Sequence, residues 1–160
     1  EGMPLAVLLA QHDDAVVLDT GPFRVAKINT GKTTVAGPEI TAYLLEKELN
    51  LSATGESNGA YRGADLVVVA TPADYDPETN KIDTSSVGSV VEAALEANEG
   101  CLAAIKSKIP VGRMQLLQKL HGTKRAIFSP VFIREGRAPY ENFLPAQIIV
   151  GSCDACCRDS

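Results

Sequence analysis

The chain has 160 residues, 45% of them hydrophobic and 22% charged, with a formal net charge of −5. A chain of this length can bury one globular core, and its acidic balance argues against nucleic-acid binding, which normally requires a basic face. No apolar run approaches the roughly 20 residues of a membrane span, and residues 1–4 carry no basic signal-peptide region. We therefore expect a cytoplasmic protein without a nucleic-acid or membrane partner.

The first third of the chain predicts helices around short strands. Residues 3–11 are apolar and helix-prone, and residues 15–19 (AVVLD) form a β-branched run that ends in an acid. Residues 22–29 begin with proline, which a helix tolerates at its first positions. Apolar residues at helical spacing predict an amphipathic helix over 39–49, and a short strand follows over 51–53.

From residue 65 onward, strands and helices alternate. Residues 65–70 (DLVVVA) are continuously apolar, as is typical of a strand covered on both faces. A polar loop to residue 83 follows. The later predicted elements are a helix capped by Thr84, a strand over 102–105, a helix over 110–120 ended by Gly122, and strands over 125–128 and 147–150. This alternation predicts an α/β fold with a mostly parallel sheet and flanking helices.

The candidate site lies in the loops after the strands, because ligands of parallel sheets bind beyond the carboxyl ends of the strands. Asp19 ends the first predicted strand, and in dinucleotide-binding folds an acid there hydrogen-bonds the adenosine ribose. Arg24 follows within reach of the same ribose or of a phosphate. The alternative is an Asp that only forms a turn. The companion Gly-x-Gly-x-x-Gly loop does not occur in the sequence, and Gly2 alone is no motif.

The other strand-end loops have both a functional and a structural interpretation. Residues 71–80 form an acidic, proline-containing loop that would serve equally as a solvated crossover. Lys106 and Lys108 precede a predicted helix, where they could hold phosphate or simply be solvated. Residues 131–133 (VFI) could fill the core or close over a planar ligand.

Four cysteines are present, one inside the chain and three near its end: Cys101, Cys153, Cys156 and Cys157. The terminal Cys-x-x-Cys pair could bind zinc or act as a redox couple. A tetrahedral zinc site needs a second pair of ligands, and neither His12 nor His121 lies close in sequence. We therefore expect no metal. The predicted organisation is one domain over residues 1–151 and an unstructured tail over residues 152–160.

Taken together and in order, these segments resemble the UDP-glucose/GDP-mannose dehydrogenase family, and within it the bacterial UDP-glucose 6-dehydrogenases. The matching stretches are residues 8–12 (LLAQH), 16–19 (VVLD), 61–72 (YRGADLVVVATP), 74–80 (DYDPETN), 83–87 (DTSSV), 105–107, 110–112, 127–130, 134–136 and 148–151. Each stretch is a weak signal alone, but their joint occurrence at family-like spacing over residues 5–151 is specific. The resemblance implies a Rossmann-like NAD-binding domain that lacks the family's first strand and glycine-rich loop.

The resemblance also implies an oxidoreductase that converts the C6 alcohol of UDP-glucose to a carboxylate with two NAD molecules, through a thioester on a cysteine. Glu135 would be the retained catalytic acid. The cofactor-binding residues that it implies are Asp19, Arg24, Thr71, Pro72, Ala73, Lys108 and Glu135. The substrate-binding residues that it implies are Phe132, Ile133, Arg134 and Glu135.

Three departures from the family's motifs weigh against catalysis by this chain. Ala73 stands where the family has a cofactor-contacting Thr. Lys108 replaces a Thr that positions a catalytic water, and a long ammonium side chain cannot copy a small hydroxyl. Val131 replaces a Glu that is the candidate base for thioester hydrolysis, and Val cannot move a proton. We therefore expect an inactive fragment of such a dehydrogenase. The alternative is a non-catalytic nucleotide-binding or protein-interaction module derived from the family.

The lack of the family's central first strand would leave two unpaired sheet edges, and exposed edges invite pairing with another chain. Three outcomes are expected: neighbouring strands that rejoin, a homo-oligomer that fills the gap, or marginal stability.

Overall fold

The computed structural model describes residues 2–32, 34, 41, 44, 47–71, 74–76, 81–130 and 149–151. The chain divides into two compact units, unit 1 with residues 1–60 and 132–146 and unit 2 with residues 61–131 and 147–160. The predicted tail over residues 152–160 and most of the predicted helix over residues 39–49 lie outside the described residues.

The fold is α/β, as the alternation of strands and helices predicts. In chain order the described elements are α1 Gly2–Leu9, β1 Ala15–Leu18, α2 Pro22–Asn29, β2 Leu51–Thr54, α3 Ser57–Arg62, β3 Leu66–Val69, β4 Asp74–Asp76, β5 Lys81–Asp83, α4 Ser85–Ala97, β6 Leu102–Ile105, α5 Arg113–Leu120 and β7 Ala126–Phe128. The predicted bounds of α2 and β6 are confirmed without change. Three elements, α3, β4 and β5, were not predicted.

Unit 1 is built on a parallel pair of strands. β1 pairs with β2 in a register that sets Ala15 opposite Leu51 and Leu18 opposite Thr54. The two helices contribute apolar side chains to one core with the sheet. Its buried members are Met3, Val7, Ile28 and Ala53. This packing fixes β1 and α2 against each other and therefore fixes the loop that joins them.

The side chain of Asn29, the last residue of α2, makes the two hydrogen bonds to β2 that a neighbouring strand would otherwise make. Its amide nitrogen donates to the Ala53 carbonyl at 2.9 Å, and its amide oxygen accepts from the Ala53 N–H at 2.7 Å. These are the two bonds that a neighbouring strand would make with a residue of a ladder. Ala53 is buried, so without Asn29 both of its main-chain groups would need other partners.

Unit 2 contains a parallel sheet in the order β3–β6–β7. Leu66 lies opposite Leu102, and Ala103 lies opposite Ala126. α4 connects β3 to β6 through the β4–β5 hairpin, and α5 connects β6 to β7. The largest fully buried apolar side chains of this unit come from the sheet and both helices, and they are Val69, Val87, Val91, Ile105 and Leu117. Of the apolar run of β3, Val67 and Val69 are buried, whereas Leu66 is 46% exposed, so the prediction of a strand covered on both faces is met only in part.

The end of α3 is tied to the loop before β6 by Asn98. Its amide nitrogen donates to three carbonyls, those of Tyr61, Arg62 and Ala64, at 3.3, 3.3 and 2.9 Å. Its amide oxygen accepts from the Gly100 N–H at 2.8 Å. Carbonyls at the end of a helix have no intrahelical partner, and Asn98 supplies one from a distant part of the sequence.

The prediction of an unbroken polar loop from residue 71 to residue 83 is wrong. β4 and β5 form a short antiparallel hairpin, with Asp74 opposite Asp83 and Asp76 opposite Lys81. Strands of three residues are too short to show a clear alternation, and aspartate is disfavoured in strands. The helix α3 was missed for a similar reason, because its six residues include Asn and Gly, which have low helix propensity.

The prediction that Thr84 caps α4 through its side chain is also wrong. Thr84 occupies the N-cap position without a side-chain cap bond. The preceding residue takes that role, since Asp83 Oδ1 accepts from the Ser85 N–H at 2.9 Å. This bond is the main reason that the pKa of Asp83 is lowered. A carboxylate beside a helix N-terminus is favoured by the helix dipole as well.

The predicted strand over residues 147–150 lies partly outside the described residues, and Gly151 forms an isolated antiparallel bridge with Phe128. Among the described strands, β1 pairs with β2, and β3 pairs with β6; the expectation that neighbouring strands rejoin stays a prediction. No helix in the described part of the chain is long and apolar enough to cross a membrane.

We expect Asn29→Ala to lower the free energy of unfolding by about 1–3 kcal/mol, the usual cost of leaving buried polar groups unpaired. Urea unfolding followed by circular dichroism measures this change. Asn58→Ala is the matched control, because Asn58 is exposed on α3, and it should leave the midpoint nearly unchanged. Equal midpoints for wild type and Asn29→Ala would show that the Asn29 hydrogen bonds to Ala53 do not stabilise the fold.

Candidate functional site

The candidate site of unit 1 follows β1. Asp19 is the first residue after the strand, and its N–H donates to the Thr54 carbonyl at 3.1 Å, which continues the ladder with β2. The Asp19 side chain therefore leaves the sheet at its carboxyl edge, where ligands of parallel sheets bind. It is partly buried, with 24% of its side chain exposed.

The carboxylate of Asp19 is held by two groups from the start of α2. The Gly21 N–H donates to Oδ1 at 2.8 Å. Arg24 donates from Nη2 to Oδ1 at 2.7 Å, and its Nε lies 2.9 Å from Oδ1 and 2.8 Å from Oδ2. The guanidinium therefore forms a bidentate ion pair with both carboxylate oxygens, which is the strongest arrangement for an Arg–carboxylate pair.

Gly21 makes room for this ion pair. Its backbone is extended, with φ −88° and ψ 107°, a conformation open to any residue. The tight space beside Arg24 favours glycine here. A Cβ at this position would lie 3.0 Å from Cζ and Nη2 of Arg24 and 3.2 Å from Nε. A methyl group would therefore require the guanidinium to shift by a few tenths of an ångström.

The ion pair shifts the titration of both partners. The hydrogen bond from Arg24 is the main cause that lowers the pKa of Asp19 below its ordinary value of 3.8; burial opposes it, and the Gly21 N–H lowers the pKa by a smaller amount. The same bond raises the pKa of Arg24. Because the folded pKa of Asp19 is lowered, the pair stabilises the fold above pH 3.8, and this stabilisation is lost as the pH falls through the lowered pKa. At neutral pH the carboxylate is ionised.

The hydrogen-bonding capacity of Asp19 is not exhausted by these donors. An ionised carboxylate offers about four lone-pair positions. Among the described residues, Oδ1 receives donors from both Gly21 and Arg24, whereas Oδ2 receives only the Arg24 Nε–H. Oδ2 is therefore the oxygen open to a further donor, and a ribose hydroxyl is a donor of the right kind. Asp19 thus fits the adenosine ribose of NAD.

Unit 2 has its own cluster of polar groups at the carboxyl edge of its sheet. The buried hydroxyl of Ser107 donates to the Thr71 carbonyl at 2.7 Å and lies 3.3 Å from the Val69 carbonyl. The Lys106 ammonium lies 3.4 Å from both the carbonyl and the hydroxyl oxygen of Ser129. Three parallel strands therefore bring their polar ends together at one edge.

The Thr71 hydroxyl oxygen is buried and has no hydrogen-bond partner in the part of the chain that the structure describes. A buried polar atom without a partner costs free energy that a ligand donor or acceptor can offset. Thr71 follows directly after β3 and belongs to the residues that the family resemblance assigns to the cofactor. This hydroxyl therefore fits a contact to a polar group of NAD.

The remaining predicted site residues are not brought into either cluster by the described contacts. Lys108 is described and exposed. The other predicted residues lie outside the described residues, and they are Pro72, Ala73, Phe132, Ile133, Arg134 and Glu135. Their assignment stays a prediction from the resemblance.

The sequence analysis missed Gly21, Ser107 and Ser129 as members of the site. Gly21 lies between Asp19 and Arg24, directly before Pro22, which marks the start of α2. The sequence could therefore have predicted a tight turn at Gly21 that brings the two side chains together. Ser107 and Ser129 each lie just after a strand, yet nothing in the sequence tells a serine that bonds a carbonyl from a solvated one. Within the described ranges, no three potential metal ligands come together, and Cys101 is a buried free thiol.

We expect Arg24→Gln to raise the pKa of Asp19 toward its ordinary value, because glutamine can donate a hydrogen bond but carries no charge. Gly21→Ala should raise this pKa by less, because it removes no charge and its methyl group would shift the guanidinium by only a few tenths of an ångström. A pH titration of the Asp19 carboxyl carbon by NMR measures the pKa in each variant. Lys27→Gln is the control, since Lys27 lies over the Phe23 ring at 5.2 Å instead. An unchanged pKa in Arg24→Gln would contradict the role given to the ion pair.

The chain is similar in sequence to two UDP-glucose 6-dehydrogenases. It is 41% identical over 151 residues to the enzyme of Streptococcus pneumoniae, a match that covers 94% of this chain and 38% of that protein. It is 32% identical over 152 residues to the enzyme of Campylobacter jejuni, with 94% of this chain and 39% of that protein covered. The chain thus spans well under half the length of these relatives.

The fold is similar to that of a UDP-glucose dehydrogenase from the archaeon Pyrobaculum islandicum. The TM-score is 0.79 at 22% sequence identity, and the match covers 96% of this chain and 38% of that one. At this identity the likeness concerns the fold alone, and it is the Rossmann-like α/β fold that the sequence analysis predicts.

The family model for the NAD-binding domain matches residues 2–160 of this chain. The matched domain is one that binds NAD. The Asp19 carboxylate after β1 is consistent with that cofactor. The chain belongs to the UDP-glucose/GDP-mannose dehydrogenase family.

Proposed function

We propose that this chain is the NAD-binding part of a UDP-glucose 6-dehydrogenase and that it binds the adenosine ribose of NAD through Asp19. The observation that carries the proposal is the ionised carboxylate after β1, oriented by the Gly21 N–H and by Arg24, with Oδ2 open to a hydroxyl. The substrate of the whole enzyme would be UDP-glucose, as the names of both sequence relatives suggest.

The residues of this chain would bind and orient the cofactor. Bound NAD supplies the hydride acceptor for oxidation of an alcohol. Asp19 would accept a hydrogen bond from a ribose hydroxyl through Oδ2, and Thr71 would offer its buried hydroxyl to a polar group of the cofactor. Ser107 would keep the Thr71 main chain in place through the 2.7 Å bond to its carbonyl. These roles hold the cofactor and do not include a chemical step.

The residues that would contact the UDP-sugar belong to the segment around Glu135, which the resemblance supplies. Phe132, Ile133 and Arg134 would bind the sugar nucleotide with Glu135, the retained acid. Pro72, Ala73 and Lys108 complete the proposed cofactor contacts. We further propose a cytoplasmic location. A homo-oligomer is also proposed, since no described strand pairs with the outer edges of β1 and β3.

A second candidate function is a non-catalytic nucleotide-binding or interaction module derived from the same family. Lys108 favours it, because an exposed ammonium stands where family enzymes have a small hydroxyl. Val131 favours it as well, since its side chain cannot act as a base. Both candidates share the proposed NAD site, and they differ in whether a longer protein with this domain oxidises a sugar.

We expect saturable binding of NAD to the folded chain by isothermal titration calorimetry. Asp19→Ala should weaken it by about tenfold or more, the loss expected for one hydrogen bond to a charged group. Asp14→Ala is the matched control, because Asp14 is an exposed acid that precedes β1, and it should bind NAD like the wild type. Failure of a folded wild-type chain to bind NAD, or equal binding by Asp19→Ala, would refute the proposed ribose site.

We expect no formation of NADH when this chain alone is mixed with NAD and UDP-glucose, because positions 108 and 131 carry side chains that cannot perform the family's steps. Absorbance of NADH measures turnover, and the Streptococcus pneumoniae enzyme serves as the positive control. Measurable turnover by the chain would show that it carries a complete active site.

A further inference from the structure

We propose that the outer face of α4 and α5 in unit 2 is an interface for a second copy of this chain, in which α5 of each copy packs on α4 of the other. The inference is carried by an acidic helix that lies beside a basic, partly apolar helix. It does not depend on the proposed NAD site, and it uses helix surfaces instead of the outer edges of β1 and β3.

The sequence of unit 2 separates its charges. Residues 82–99, which include α4, contain four acids and no Lys or Arg, whereas residues 100–130, which include α5, contain six Lys or Arg and no acid. The acids are Asp83, Glu92, Glu96 and Glu99, and the bases are Lys106, Lys108, Arg113, Lys119, Lys124 and Arg125. An acidic segment is therefore followed directly by a basic one.

The two helices of these segments lie side by side. A Cβ on Gly88 of α4 would lie 3.6 Å from Nη2 of Arg113 and 3.8 Å from Cδ2 of Leu117, both in α5. The strand order β3–β6–β7 agrees with this placement, because right-handed crossovers in one direction along a parallel sheet put their helices on the same face. The outer faces of α4 and α5 therefore form one continuous surface.

The outer faces of the two helices differ in chemistry. Residues three or four apart share one face of a helix, and the exposed stripe of α4 consists of Ser85, Ser89, Glu92 and Glu96. On α5, the side chains of Leu116 and Leu120 are 51% and 72% exposed, and Lys119 is exposed beside them. Neither Glu92 nor Lys119 forms an ion pair with another described residue.

This surface is complementary to itself. A two-fold axis parallel to the helices would place α5 of each copy over α4 of the other, and it would make both contacts identical. Rotation about that axis does not move residues along it. Lys119 lies two residues beyond Leu117, and Glu92 lies four residues beyond Gly88, so their heights differ by about 3 Å at the rise of an α-helix. Lys119 would therefore reach Glu92 of the second copy.

The size of the surface fits a weak, reversible dimer. The 13 residues of α4 span about 20 Å, and two adjacent helices are about 20 Å wide. The face thus offers on the order of 400 Å² per copy, which is at the low end for protein interfaces. Because the exposed leucines provide little apolar area, we expect the charge pairs to determine the orientation of the two copies and salt to weaken their association.

The experiment measures the dissociation constant of the full chain by sedimentation equilibrium at several protein concentrations. The wild type should show a monomer–dimer equilibrium. Glu92→Lys and Lys119→Glu should each weaken it by about tenfold or more, since each places like charges opposite each other at two symmetry-related contacts. The double variant Glu92→Lys/Lys119→Glu should regain most of the affinity, because it restores opposite charges. Leu120→Ser should weaken the dimer as well.

Matched controls are Glu56→Lys and Lys32→Glu, which make the same charge changes at exposed positions of unit 1 and should leave the dissociation constant unchanged. Circular dichroism verifies the fold of each variant. If a reversed charge prevents folding, Glu92→Gln and Lys119→Gln remove the charges at similar size and should still weaken the dimer. A wild type that stays monomeric overturns the inference. So does an association that these substitutions leave unchanged, because the contact then lies on another surface.

Discussion

The structure depends on the need of every buried main-chain group for a hydrogen-bond partner. Short parallel strands of four residues leave many such groups near their ends and edges. In both units, single polar side chains meet this need. Asn29 bonds both main-chain groups of Ala53, Asn98 bonds the carbonyls at the end of α3, and Ser107 bonds the carbonyl of Thr71. Each of these bonds joins segments that are far apart in the sequence.

This constraint also positions the site. The last ladder bond of β1 runs from the Asp19 N–H to the Thr54 carbonyl, and the next residues turn directly into α2. The acid is therefore fixed by the sheet, whereas the arginine that pairs with it is fixed by the helix. Since Ile28 of α2 packs in the same core as Met3 and Ala53, the geometry of the ion pair follows from the packing of unit 1.

The sequence predicted those features that depend on local pattern. The strand β3 was readable from its continuous apolar run, and α2 was readable from Pro22, which a helix tolerates at its first positions. The sequence also predicts that Arg24 lies near Asp19, and the structure pairs the two side chains. The hairpin of β4 and β5 was not predictable in this way, because three-residue strands in an acidic segment show neither alternation nor β propensity.

Contacts between distant segments were not readable either. The bond between Asn29 and Ala53 joins residues 24 positions apart, and no local rule distinguishes this Asn from any other near a helix end. Gly21 is a local case: Pro22 marks the turn in the sequence, but no sequence rule shows that the guanidinium of Arg24, in the first turn of α2, lies close to the position of a Gly21 Cβ.

The pairing of Asp19 with Arg24 has a consequence for an acidic protein that binds an anionic cofactor. An unpaired carboxylate would repel the pyrophosphate of NAD as well as a 2′-phosphate, because charge repulsion extends over about 8–10 Å at physiological ionic strength. A bidentate ion pair cancels most of the repulsion from the carboxylate at a distance. It still leaves Oδ2 with a lone pair that can accept a hydrogen bond from a group in direct contact. At the proposed ribose site, this pairing would leave the approach of the rest of the cofactor little affected. The lowered pKa of Asp19 serves the same end, since it keeps the acceptor ionised at neutral pH.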